Sequence, residues 1–148
     1  MRASVVPLLV LAACQTSADH GAGHLELVDA PASGPVATIV KAELAHARAA
    51  HKTLAVYVGA EWCEPCVRFH HAAATGELDA KFPDLRLLVF DLDRDQLRLD
   101  HAGYSSDMIP LFALPNDDGT SSHRQIEGSV KGDAAIDNIA GRLRPLLP

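Results

Sequence analysis

Apolar and polar positions alternate with two different periods along this chain. From Val36 to Ala50 the apolar residues Val36, Ile39, Val40, Leu44 and Ala47 recur at helical steps, with Lys41, Glu43, His46 and Arg48 mainly on the outer side, which predicts an amphipathic helix. Leu54 to Val58 is instead almost continuously apolar, the pattern of a central strand covered on both faces. A helix-prone run follows from Val67 to Ala74, broken or bent at Thr75-Gly76, and Glu77 to Lys81 reads as another helical turn ended at Phe82-Pro83. Leu85 to Phe90 reads as a second buried strand, closed by the acidic run Asp91 to Asp95, with a short helix expected over Gln96 to Ala102. Leu111 to Leu114 and Ser122 to Glu127 flank the polar turn Pro115 to Gly119 and read as a hairpin. Asp133 to Leu147 predicts a final amphipathic helix, with Asp133 as N-cap, Ala135, Ile136, Ile139 and Leu143 inward, and Arg142 and Arg144 near its negative end. Near the start, His24 to Val28 alternates as a short edge strand does, and Pro31 to Pro35 is a turn cluster.

Helices interleaved with buried strands define an α/β class, and 148 residues with 48% hydrophobic content suffice for one full core. A net charge of −6 argues against a nucleic-acid partner held by electrostatics. The first residues have a different composition. Met1-Arg2 is a minimal positive start, Val5 to Ala13 is a short apolar run, and Leu11-Ala12-Ala13-Cys14 resembles the bacterial lipobox. That resemblance implies cleavage before Cys14 and its lipidation, anchoring the protein without a transmembrane helix. Gln15 after the cysteine is similar to patterns sorted to the outer membrane. The polar, Gly/Ser/Ala-rich stretch from Gln15 to Gly23 suits a flexible tether. The expected organisation is a signal peptide over 1–13, lipidated cysteine and linker over 14–35, and one folded domain over 36–148. An ordinary secretory signal with Cys14 as a spare thiol is the plainer alternative.

The candidate chemistry lies in Trp62-Cys63-Glu64-Pro65-Cys66, between the strand at 54–58 and the helix after it. A thiolate at a helix N-terminus faces unpaired backbone N–H groups and the positive end of the helix dipole, which lowers its pKa. A second thiol one turn on can attack a mixed disulfide made by the first. Pro65 fits a first helical turn, where its missing N–H has no intrahelical partner to lose. A cysteine pair at this spacing can also be half of a zinc site, but Cys14 is the only other cysteine. As a structural staple, so small a ring is strained and easily reduced.

Ala60-Glu61-Trp62-Cys63-Glu64-Pro65-Cys66 resembles the active-site segment of thioredoxins, and the likeness can be followed from about Lys41 to Leu147. It implies the thioredoxin fold, a central mixed β-sheet flanked by helices on both faces. It also implies thiol–disulfide exchange, with Cys63 as exposed nucleophile, Cys66 as resolving thiol, and Trp62, Glu64 and Pro65 shaping the site. Ile109-Pro110 resembles the family's cis-proline loop, implying a cis bond and a backbone that pairs with the substrate chain. Gly128 resembles the glycine closing the hairpin. Two positions depart from the family. Tyr57 stands where many thioredoxins carry a buried Asp proposed as proton shuttle, and Gly59 where Trp is common. A phenol with a pKa near 10 is a poor proton shuttle, leaving resolution to water, Glu61 or Glu64.

Glu64 is expected to oppose the helix dipole and keep Cys63 from becoming strongly acidic, which favours a reducing couple. Its Glu-Pro pair also resembles that of reducing cytochrome c-biogenesis thioredoxins. The expected function is an extracytoplasmic, lipid-anchored reductant of protein disulfides on the periplasmic side of a bacterial membrane. It would be a monomer recharged by a membrane electron donor, with no cofactor beyond the Cys63-Cys66 dithiol. The alternatives are a disulfide oxidase or isomerase on the same residues, a copper or zinc module using both cysteines and a histidine such as His70 or His71, and a non-catalytic adaptor.

Overall fold

The computed structural model describes residues 23–148; the stretch read as a signal peptide and Cys14 lie outside the described residues. Five strands form one sheet in the order β1-β3-β2-β4-β5. They are β1 (Glu26–Asp29), β2 (Thr53–Gly59), β3 (Leu85–Asp91), β4 (Leu111–Pro115) and β5 (Ser121–Glu127). The helices are α1 (Val36–Ala49), α2 (Glu64–Ala74), α3 (Leu92–His101) and α4 (Ala135–Leu143), with a 3₁₀ turn at Arg144–Leu146. β1, β3 and β2 run parallel, and β4 and β5 are antiparallel additions on the other side of β2. This strand order, mixed direction and helix placement constitute the thioredoxin fold.

The apolar run of β2 is explained by its position in the sheet. Its residues alternate between two cores because successive side chains leave a strand on opposite faces. Ala55 and Tyr57 pack with Phe69 and Ala72 of α2 and Ile139 of α4. Leu54, Val56 and Val58 pack with Val36 and Val40 of α1 and Leu99 of α3. No helix among the described residues is long and apolar enough to cross a membrane.

The register places the functional loops. Gly59 lies opposite Asp91, so β2 and β3 end together, and Val58 lies opposite Leu111, so β4 begins beside that end. The loop before α2 and the loop before β4 therefore meet at one edge of the sheet. β1 starts near the other edge, with Glu26 paired to Arg86. The stretch 14–35, read as linker, thus contains a paired strand near its end, and the folded unit includes it.

Three boundaries differ from the sequence reading. α3 begins at Leu92 rather than Gln96, because Asp91 caps it by accepting the Arg94 N–H at 2.9 Å. The acidic run is its first turn, and fully buried Asp95 accepts hydrogen bonds from both Arg94 and Arg98. α4 begins at Ala135 without a side-chain cap; Asp133 instead pairs with Arg68 at 3.2 Å. α4 gives way to the 3₁₀ turn before Pro145, and Arg142 reaches back to the carbonyls of Glu127 and Gly128, while Arg144 binds that of Lys81. Glu77 to Lys81 forms consecutive turns rather than helix.

Candidate active site

Cys63 and Cys66 are joined as a disulfide, with Sγ–Sγ 2.02 Å. Cys63 is the N-cap of α2, in extended conformation, and its Sγ accepts the Cys66 N–H at 3.3 Å. A sulfur in that position occupies the place of the usual Ser or Asp cap and gains from the helix dipole once reduced. Pro65 is buried in the first turn. The expectation of an exposed nucleophile is corrected here. Cys63 retains only 6% of its surface and Cys66 2%, because Ala60, Leu92 and Ile109 pack around the pair. Cys63 is the more accessible sulfur-bearing residue, but it is recessed.

Around the recess stand exposed apolar side chains. Trp62 is 66% exposed, and Met108 and Val67 are exposed as well. The Trp62 indole N–H donates to both carboxylate oxygens of Asp93, at 2.9 and 3.2 Å, which holds the ring over the start of α3. The Ile109–Pro110 bond is cis, as the resemblance implied. Ser106 bonds the carboxylate of Glu127 and the carbonyl of Met108, and the Gly128 N–H donates to the Pro110 carbonyl at 2.9 Å. Gly128 has φ +64, and a Cβ there would press on Met108 at 3.3 Å. Among the described residues, the Ile109 peptide N–H and carbonyl take no part in the loop's backbone hydrogen bonds. They are free to pair with an incoming extended chain.

Glu64 behaves differently from the sequence expectation. Its carboxylate is ion-paired with Arg68, one turn on, and accepts the Gly132 N–H at 3.2 Å. The Arg68 hydrogen bond, aided by Gly132, holds the Glu64 carboxyl below the usual carboxylate range. Its charge is compensated, so its opposition to the α2 dipole is weaker than the sequence suggests.

The far flank of Cys66 is built otherwise. Tyr57 is buried, stacks on Phe112 with centroids 4.7 Å apart, and donates its phenol to the Cys66 carbonyl at 3.0 Å. Burial pushes its acidity well below that of a free phenol, so it is a tether for α2 and no proton shuttle. Beside it a cleft of about 610 Å³ opens, with Tyr57, Gly59, Glu61, Cys66 and His70 among its lining residues. No cluster of three or more metal-ligating side chains occurs among the described residues. The roles of Asp93, Arg68 and Tyr57 escaped the sequence reading; only the acidic end of the β3 segment hinted at Asp93.

Fold and site together place two sulfurs at a helix N-terminus of a thioredoxin fold, one more accessible than the other, beside a loop with unpaired backbone groups. No protein-family model matches the chain, and neither does any curated protein. Among solved structures, the chain is similar to a poplar thioredoxin h mutant at 20% identity, over 96% of this chain and 92% of that one, with a TM-score of 0.48. It is similar to thioredoxin O2 from Arabidopsis thaliana at 18% identity, over 84% and 91%, with a TM-score of 0.47. The oxidised thioredoxin from Plasmodium falciparum is similar at 18% identity, over 81% and 98%, with a TM-score of 0.46.

Proposed function

We propose that this protein exchanges disulfides with extracytoplasmic proteins, acting as a reductant tethered by lipid at Cys14 to the periplasmic side of a bacterial membrane, in the outer membrane by the Gln15 pattern. The observation that carries the exchange chemistry is the cysteine pair capping α2, with the Cys66 N–H on Cys63 Sγ, next to the Ile109-Pro110 loop. Cys63 attacks a substrate disulfide, Ile109 pairs with the substrate chain, and Cys66 displaces the substrate from the mixed disulfide. Trp62 and Pro65 shape the recess, and no cofactor beyond the dithiol takes part.

The direction of electron flow rests on thiolate support. Among the described residues no cationic side chain bonds either sulfur, and one N–H at 3.3 Å is modest support. A less stabilised thiolate makes a more reducing couple. The Cys-Glu-Pro-Cys likeness to reducing proteins points the same way, although compensation of Glu64 removes part of that argument. A reductant outside the cytoplasm needs recharging, hence a membrane electron donor. The tether reading is helped by the direction of β1, whose first residue, Glu26, pairs with Arg86 at the end of the sheet opposite Gly59 and Asp91.

The deciding experiment is trapping. Cys66→Ala should accumulate mixed disulfides with protein partners through Cys63, and the Cys63→Ser, Cys66→Ala double variant should accumulate none. If the single variant traps nothing, the exchange reading falls. A reduction potential far above the roughly −270 mV of thioredoxin would reassign the protein as an oxidase or isomerase. Retention of Cys14→Ser in the membrane fraction would remove the lipid anchor.

A further inference from the structure

We propose that His70 accepts the Cys66 proton during resolution of the mixed disulfide, through the cleft that Gly59 leaves open beside the second sulfur. This rests on the exchange reading above. Three observations carry it. First, β2 offers no base behind Cys66: Tyr57 occupies that place, and its neutral phenol, donating to the Cys66 carbonyl at 3.0 Å, is no proton acceptor. Second, Gly59 is the reason for the opening, since a Cβ there would lie 3.3 Å from the Cys66 Cβ and 3.0 Å from the Tyr57 hydroxyl. Third, Cys66 and His70 line the same cleft, one helical turn apart, with the His70 ring 6.5 Å from that of Tyr57. Side chains so spaced have Cβ atoms roughly 5–6 Å apart, a gap that one water can bridge.

In the step itself, the Cys66 thiol loses its proton through that water to a ring nitrogen of His70. The Cys66 sulfur attacks Cys63 Sγ, the Cys63–Cys66 bond forms, and the bond from Cys63 to the substrate sulfur breaks. The electron pair leaves with the substrate sulfur, which takes a proton from solvent, and His70 returns its own proton to solvent. Charged or titratable groups sharing the cleft are Asp29 from β1, Glu61 before α2, His71 on α2, and Asp91 and Arg94 at the β3–α3 junction. Arg94 is committed to Asp95. Glu61 is the competing acceptor. Glu64 does not line the cleft and is held by Arg68.

The test mixes the reduced full chain with a fluorescent peptide disulfide. Acid quenching from about pH 5 to about pH 9 follows mixed-disulfide formation and peptide-thiol release separately. His70→Asn should slow release about tenfold near neutral pH and flatten the pH dependence there, while leaving formation unchanged. A release profile equal to wild type at every pH overturns the proposal. So does the same loss in Glu61→Gln with none in His70→Asn. Formation on the Cys66→Ala background separates the two levels. If that variant forms no mixed disulfide, the exchange reading fails and takes the relay with it; if it does and His70→Asn is silent, only the relay fails.

Discussion

The two flanks of the disulfide are built from opposite materials. On the side of the Ile109-Pro110 loop the surface is apolar and backbone-rich, with Trp62 and Met108 exposed and the Ile109 peptide unpaired. On the side of the cleft the surroundings are polar at the rim and open to solvent, with Gly59 in place of a side chain and His70 beside Cys66. A protein substrate needs an edge to pair with and apolar contacts that exclude water. A resolving thiol needs a path for a proton. In the proposed exchange reaction, the difference means that one cysteine pair would present two sites, one for a chain and one for a proton, kept apart by the width of the α2 N-terminal turn.

Filling the cleft should break the comparison most strongly. Gly59→Val places methyl groups against Tyr57 and Cys66, and overpacking of this kind costs about 1–3 kcal/mol, readable by denaturant unfolding. The same variant should slow peptide-thiol release as His70→Asn does while leaving mixed-disulfide formation intact. Equal slowing of both steps would show that the flanks are not separable. On the opposite side, Asp93→Ala releases the Trp62 indole. It should lower kcat/KM for a protein disulfide by about threefold through looser positioning, with little change for a small-molecule disulfide. Identical losses on both substrates would remove Trp62 from substrate docking. The smallest effect belongs to the front of the turn. Arg68→Gln leaves Glu64 uncompensated near the sulfurs, destabilises the Cys63 thiolate and makes the couple more reducing. The shift in the equilibrium constant with glutathione should be about two- to fivefold, and less at high salt. A shift toward oxidation would mean that Glu64 does not act on Cys63 through charge.

Much of the fold was legible in the order of residues. The helical spacing at Val36 to Ala47, the unbroken apolar run of β2, and the polar turn between β4 and β5 are local patterns, and each produced the element expected. The errors fell where local and tertiary demands compete. Asp91 and Asp133 are both plausible caps by residue type, yet Asp91 caps α3 and Asp133 turns to Arg68. The acidic run after β3 reads equally well as a strand ending or as a helix's first turn, and side-chain capping decides for the helix.

The sequence by itself determined where the sulfurs sit, which is at a strand-to-helix junction with a proline in the first turn, because short-range spacing and helix geometry suffice for that. It also marked Ile109-Pro110 as the facing loop through its likeness to a known motif. Only the tertiary structure decided how accessible Cys63 is, that Trp62 is held by Asp93, that Glu64 is neutralised by Arg68 and Gly132, and that Gly59 opens a path to Cys66. Arg68 lies only one helical turn from Glu64, whereas the Trp62–Asp93 and Glu64–Gly132 contacts join partners 31 and 68 residues apart. Contacts of that range are set by strand order and register, which no local period encodes.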